Sequence, residues 1–307
     1  MQPLRGIMFK VMAVCLFMFM ASFIKAASVE VPPGQAVFFR SFFALPVILG
    51  WLAMRGELRS GWKTPNPVGH FWRGLLGTSA MGLGFTGLGL LPLPDATAIG
   101  YAAPLLVVVF ASMFLNEKVG VYRLSAVLFG MIGVLIVLSP RLSIGAGLST
   151  GETLGAVVVL MGAVFAALAQ VFVRKLVQTE GTAAIVFWFS ITSAALALCT
   201  LPWGWAMPSA GVALMLVLAG LLGGLGQIFL TSSYRYADAS LVAPFDYASM
   251  ILALIIGYFV FDEVPTGTML LGAGIVILAG VLIIWRERVL GLQRAQQRKA
   301  MGNLGGK

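Results

Sequence analysis

Two ionisable side chains interrupt long apolar runs of the sequence, where an isolated charge is costly. Arg40 lies in the run 33–54, and Asp246 lies in the run 239–261. At helical rise Arg40 would lie about 10 Å beyond Pro33, and a guanidinium at that depth needs an ion-pair partner or a wet cavity. Asp246 could carry a coupling proton, because desolvation favours the neutral form of a carboxylic acid. It could equally be a neutral acid hydrogen-bonded to a neighbouring helix.

Neutral polar and aromatic side chains in the same kind of run could contact a small organic molecule. Amide side chains both donate and accept hydrogen bonds, and aromatic rings offer flat apolar faces. Each aromatic residue, taken singly, also fits a simple packing role. The candidate substrate-binding residues are Arg40, Tyr101, Gln170, Phe187, Trp188, Gln227 and Tyr247.

Two prolines lie near the start of apolar runs that could span a membrane. These are Pro104 and Pro244. Proline removes one backbone hydrogen bond and frees a carbonyl, and a membrane protein tolerates this where the carbonyl lines a cavity. The sequence therefore predicts a helix break near each proline.

Motifs of enzymes and metal sites are absent or badly placed. No lysine follows a phosphate-binding glycine loop, and no set of His, Cys and carboxylate residues has the spacing of a zinc site. A G-x-S-x-G pattern occurs at 147–151, but His70, the single histidine, is expected on the other side of the membrane. We therefore expect no enzyme activity, no cofactor and no metal.

The composition indicates a membrane protein. Hydrophobic residues make up 60% of the 307 residues and charged residues 10%, whereas a soluble domain has about 25% charged residues. The formal net charge of +9 comes from basic residues between apolar runs, where they can face lipid headgroups. The expected partners are a lipid bilayer and a small-molecule substrate, with no nucleic acid. The oligomeric state stays open.

The apolar runs predict ten membrane-spanning helices. Charge-free runs such as 74–94 are long enough to cross a bilayer, and the charge-free stretch 181–234 gives two spans because a Pro- and Trp-rich segment divides it. With the N-terminus inside, all but three of the 20 Lys and Arg residues lie on the cytoplasmic side. The exceptions are Lys25 and Arg141 outside, and Arg40 within the membrane. The positive-inside rule then places both termini in the cytoplasm.

The sequence repeats itself at an offset of about 147 residues. Gly74-Leu75-Leu76-Gly77 returns as Gly220-Leu221-Leu222-Gly223, and Glu117 returns as Glu263. Any one match is weak, because short apolar strings recur by chance. The matches keep the same order and offset, which indicates an internal duplication.

The two copies cover 6–140 and 152–285, and a basic cytoplasmic tail follows at 286–307. Each copy contains five predicted spans. Because five is odd, the second copy enters the membrane with inverted orientation. Inverted repeats of this kind are typical of secondary transporters that work by alternating access.

These features resemble the drug/metabolite transporter superfamily, and within it the ten-helix proteins built from two EamA repeats. The resemblance implies an all-α membrane protein with ten helices around a central cavity. The second copy has Phe187 where the first has Arg40. The residues that carry the resemblance are Phe39-Arg40-Ser41, Pro104, Asn116-Glu117, Gly130 and Gly133 in the first copy, and Pro244, Glu263 and Gly280 in the second.

Three stretches, 1–6, 32–41 and 89–94, resemble bacterial riboflavin importers. This resemblance implies riboflavin uptake across the bacterial inner membrane. The same superfamily exports amino acids and imports S-adenosylmethionine, and these alternatives stay open. An amino acid would find a carboxylate partner in Arg40 and an amine partner in Asp246.

Overall fold

The computed structural model describes residues 3–115, 120–142, 150–237 and 242–304. Over these residues the chain is helical and contains no strand. Glu117, one of the residues matched between the copies, lies outside the described residues, as does most of the G-x-S-x-G pattern. The all-helical fold expected from the composition is confirmed.

Twelve α-helices follow one another along the described chain, and two short 3-10 helices, Leu201–Trp203 and Ala243–Tyr247, lie between them. The α-helices are α1 Pro3–Ala27, α2 Pro33–Phe42, α3 Ala44–Met54, α4 Pro67–Leu90, α5 Leu93–Gly100, α6 Ala102–Leu115, α7 Val121–Leu142, α8 Thr150–Leu176, α9 Thr182–Leu198, α10 Ala210–Tyr236, α11 Ala248–Phe261 and α12 Gly267–Leu304. The expected tail after residue 285 continues α12 as helix up to Leu304.

Ten of the segments formed by these helices correspond to the expected spans. Six are long and apolar enough to cross a membrane, and three shorter apolar helices are Thr182–Leu198, Phe245–Phe261 and Gly267–Ile283. The tenth is α4, which packs along α8 in the middle of the bundle. Protein on several sides shelters its less apolar residues from lipid.

The position of α4 differs from the expected span at 74–94. The helix begins at Pro67, because the Asn66 side chain accepts a hydrogen bond from the backbone N–H of Gly69 and Pro67 occupies the first helical position. Asparagine is a preferred N-cap residue, and proline is common at the first position of a helix. The earlier start places His70 and Arg73 inside the helix rather than in a loop.

Two spans are broken where proline predicts a break. Helix α5 ends at Gly100 and α6 begins at Ala102, and Pro104 lies four residues after Gly100. Since a proline ring clashes with the carbonyl four residues earlier and removes one hydrogen bond, the helix is interrupted at this point. Pro46 relates to the end of α2 at Phe42 in the same way. Pro244 lies within the 3-10 helix that precedes α11.

The contacts between helices follow the expected inverted repeat. Helix α1 of the first copy packs against α10 of the second. The equivalent pair, α8 of the second copy and α4 of the first, packs in the same way. Two further pairs, α2 with α9 and α7 with α12, each join a helix to its own equivalent. This pattern is that of two five-span halves related by a two-fold axis.

Glycines set the closest approach between the last helices of the two halves. A Cβ atom on Gly272 of α12 would lie 2.6 Å from the carbonyl oxygen of Gly133 in α7. A Cβ atom on Gly133 would lie 2.8 Å from the carbonyl oxygen of Gly272. Small residues allow this backbone contact, which is how membrane helices gain packing energy.

Substitution of Gly272 tests this contact against a matched glycine of the same helix. Gly274 faces open space, with no atom within 4 Å of a built Cβ. Both Gly→Ala changes bring the same gain in helix propensity, so their difference isolates the clash. We expect Gly272→Ala to be about 1–3 kcal/mol less stable than Gly274→Ala, measured by unfolding in detergent. Equal stability of the two variants would contradict the close contact.

Candidate substrate cavity

A cavity of about 440 Å³ lies between the two halves of the bundle. Its wall combines α1, α2, α4, α5 and α6 of the first half with α8, α9 and α10 of the second. Most lining side chains are small or apolar. The polar exceptions are Arg40, Arg73, Thr97, Gln170, Gln227, Thr231 and Tyr234.

Arg40 lies on the buried side of α2 and is 2% exposed. Its Cζ atom lies 5.3 Å from the centroid of the Phe189 ring. Its Nε and Nη1 atoms are buried and have no hydrogen-bond partner. Space for this side chain comes from Gly223 of α10, where a Cβ atom would lie 2.9 Å from Nε.

Arg73 is a second cavity arginine, whereas the positive-inside rule predicts it at the cytoplasmic side. It is 7% exposed, and its Cζ atom lies 3.5 Å from the centroid of the Phe189 ring. Its Nε and Nη1 atoms are also buried without a hydrogen-bond partner. The sequence signal for its position was Asn66-Pro67, which starts α4 early enough to enclose Arg73.

Three of the candidate binding residues share this cavity. Gln170 of α8 and Gln227 of α10 line it together with Arg40. Both amides belong to the second half, since α8 and α10 lie in the second copy. Arg40 belongs to the first half. Neutral hydrogen-bonding groups and a cation therefore face one space.

The four aromatic candidates do not line the cavity. The Tyr101 hydroxyl shares a 2.7 Å hydrogen bond with that of Ser249, and its ring lies 5.1 Å from that of Tyr247. Trp188 donates from Nε1 to the Trp62 carbonyl oxygen at 2.8 Å. Each ring fills a gap between helices or loops.

Phe187 packs 6.3 Å from the ring of Trp62, again outside the cavity. The aromatic surface of the cavity comes instead from Phe17, Phe85, Phe189 and Tyr234. Pro104, expected at a cavity wall, lies on the exposed surface of α6.

Asp246 has a cationic partner. Its Oδ1 atom lies 2.8 Å from Lys10 Nζ of α1, a side chain that is 1% exposed. Lys10 also donates to the Tyr234 hydroxyl at 3.4 Å. Asp246 does not line the cavity, whereas Tyr234, which contacts the same lysine, does.

Lys25 and Glu263 form an ion pair beside residues that line the cavity, and we call this pair the cap. We call the side on which α1 begins and α12 ends the terminal face, and the other side the opposite face. At the opposite face Lys25 Nζ lies 2.9 Å from Glu263 Oε1 and donates to the Leu91 carbonyl at 2.6 Å. Glu263 Oε2 accepts from the backbone N–H of Leu93 at 2.7 Å. Leu88 and Leu93 line the cavity just below this cap.

A second group of charges closes the same face between other helices. Arg141 at the end of α7 lies 3.2 Å from Asp95 of α5 and 2.5 Å from Glu152 of α8. At the opposite face, ion pairs therefore join α1 to Glu263, and Arg141 of α7 to both α5 and α8.

At the terminal face Glu180 joins several segments near the start of α4. Thr64 donates to its carboxylate at 2.6 Å, and His70 Nε2 lies 3.6 Å from the same oxygen. Arg235 at the end of α10 donates to its backbone carbonyl at 3.1 Å. These contacts fix the helix that carries Arg73.

Comparison with known proteins supports the membrane fold and identifies the family. The chain is 29% identical over 254 residues to an S-adenosylmethionine uptake transporter of Rickettsia felis, covering 83% of each protein. It is 29% identical over 285 residues to a riboflavin transporter of Vibrio cholerae, covering 92% of this chain and 93% of that one. A solved crystal structure at 22% identity matches 93% of this chain and 98% of its own with a TM-score of 0.67.

The family assignment rests on both halves of the sequence. The EamA-like transporter family matches residues 4–139 and again residues 153–285. The two matches cover nearly the same ranges as the two repeats recognised in the sequence, and they share the cavity between them. The chain belongs to the EamA-like transporter family.

Proposed function

We propose that this chain is a secondary transporter that moves a small organic metabolite across the bacterial inner membrane by alternating access. The observation that carries the proposal is the cavity between two inverted halves, capped at one face by Lys25 and Glu263. Inverted halves can exchange their conformations and so open such a cavity to either side in turn. Arg40, Gln170 and Gln227 contact the substrate from the cavity wall.

The orientation of the chain follows from its basic residues. Both termini are cytoplasmic in this proposal, so the terminal face lies inside the cell and the opposite face outside. The Lys25–Glu263 cap then closes the cavity to the exterior. The conformation described is accordingly closed toward the outside.

Riboflavin uptake is the first candidate reaction. The Vibrio cholerae relative covers nearly the whole chain and is named a riboflavin transporter. The polyol and ring carbonyls of a flavin would meet neutral partners in Gln170, Gln227 and Thr231, and its ring would meet apolar wall. S-adenosylmethionine is the second candidate, because its carboxylate would find a free guanidinium in Arg40.

Transport of either candidate through the cavity can be tested by filling the cavity. Gly84 lines it, and a built Cβ there has no atom within 4 Å. We expect cells that express the wild-type chain to take up labelled riboflavin or S-adenosylmethionine, and Gly84→Trp to reduce uptake to the level of cells without it. Gly50→Trp, which also points into open space but from the exposed side of α3, is the control and should keep uptake. Equal uptake by both variants would place the route elsewhere.

The external cap gives a second prediction. In a chain without its native cysteines, Thr97→Cys places a thiol in the cavity wall below the cap. Adding Glu263→Gln removes the negative partner of Lys25, so we expect several-fold faster labelling of this thiol from outside by a membrane-impermeant reagent. Glu57→Gln changes an exposed acid paired with Arg55 and should leave the rate unchanged. An unaltered rate in Glu263→Gln would show that this pair does not hold the cavity shut.

Asp246 is the proposed coupling site, and asparagine mimics its protonated form. A proton on Asp246 would release Lys10 from its ion pair and so link protonation to the position of α1. We expect Asp246→Asn to retain substrate exchange in proteoliposomes and to lose accumulation driven by a pH gradient. Retained exchange also shows that the variant is folded. Asp262→Asn, at an exposed residue with positive φ that Asn tolerates, is the control. Full accumulation by Asp246→Asn would make the acid structural.

A further inference from the structure

Arg40 and Arg73 approach the same aromatic ring. Their Cζ atoms lie 5.3 Å and 3.5 Å from the centroid of Phe189. The two Cζ atoms are therefore at most about 9 Å apart, a distance at which like charges repel in a low-dielectric interior. The two side chains come from α2 and α4, and the ring comes from α9 of the other half.

Neither arginine has a counter-ion in the part of the chain that the structure describes. The Nε and Nη1 atoms of both are buried without a hydrogen-bond partner, and no described residue that lines the cavity is acidic. Three acids outside the cavity wall are paired with other bases: Glu263 with Lys25, Asp246 with Lys10 and Asp95 with Arg141.

This arrangement is costly for an empty cavity. A buried charge without a partner loses its hydration and gains no ion pair in return. The face of Phe189 offers some compensation as a cation–π partner, but a neutral ring cannot balance two positive charges. A ligand that brings a negative group would remove both the repulsion and the missing hydrogen bonds.

The shape of the two guanidinium groups selects the kind of anion. A guanidinium presents parallel N–H donors that match the two oxygens of a carboxylate. Gly77, one turn later on α4, leaves space for the Arg73 guanidinium itself, because a Cβ atom there would lie 2.6 Å from Arg73 Nη1. The surrounding wall is otherwise apolar, with Phe17, Met20 and Phe85 among its larger residues.

We propose that Arg40 and Arg73 together bind a carboxylate of the transported metabolite and so define its class as a carboxylate-bearing compound, either an organic acid or an amino acid. The inference rests on the proposed transport through this cavity. It ranks the two candidates, because S-adenosylmethionine carries a carboxylate and riboflavin carries none.

A pair of probes that differ only in the carboxylate tests the site. Indole-3-acetate and indole-3-acetamide are titrated by calorimetry into the purified full chain in detergent. A charge-assisted hydrogen bond adds roughly tenfold to a hundredfold in affinity, and we expect this preference for the acetate in the wild type. Arg73→Gln and Arg40→Gln should each lose it, whereas Arg55→Gln, at an exposed side chain outside the cavity, should keep it.

The ligand-free stability of the variants provides a readout that does not depend on the choice of probe. Because Arg73→Gln removes an unpaired buried charge, we expect its Tm without ligand to equal or exceed that of the wild type. A lower Tm would mean that Arg73 has a structural role and would overturn the proposal. An equal response of the wild type to the two probes, including no response to either, would overturn it as well.

Transport in proteoliposomes separates this inference from the proposed function. A chain that binds indole-3-acetate preferentially but transports neither candidate would support the carboxylate site and contradict the transporter. Riboflavin uptake that is unchanged in Arg73→Gln would support the transporter and contradict the carboxylate site.

Discussion

A charge within a bilayer must find a partner, and this constraint orders much of the structure. Lys10 and Lys25, near the two ends of α1, pair with Asp246 and Glu263, which flank α11. One helix is thereby fastened to another near both faces of the membrane. The arginines of the cavity are the exception, since both approach the ring of Phe189 and the Nε and Nη1 atoms of each have no hydrogen-bond partner. The cost of burying a charge is thus offset by ion pairs at α1, whereas no ion pair offsets it for the two arginines of the cavity.

Sequence reasoning succeeded where a property runs along a helix. Apolar length predicted the spans, proline predicted the break before Ala102, and the repeat offset predicted which helices are equivalent. It was less informative about which side of a helix faces the cavity. Phe187 and Trp188 precede Phe189 directly, yet Phe189 alone of the three lines the space. The rotation of α9 about its axis depends on its neighbours, and no single-helix pattern contains that information.

Arg73 shows a different limit of the sequence. A basic residue next to an apolar run usually marks the end of a span, so its charge predicts a boundary. Asn66 and Pro67 start the helix earlier, and α8 and α9 surround it with protein rather than lipid. The same residue type therefore signals a membrane boundary in one setting and a cavity in another, and tertiary contacts decide between them.

The glycine contact between α7 and α12 joins the fifth span of one half to the fifth span of the other. A contact between equivalent surfaces is what a symmetric homodimer uses. A chain half this long, inserted in both orientations, could have made the same contact between two separate copies. Fusing the copies makes the encounter intramolecular, so that assembly no longer depends on concentration. The fusion also frees each half to change independently, and the arginine in one half opposite a phenylalanine in the other is a change that a homodimer could not have kept.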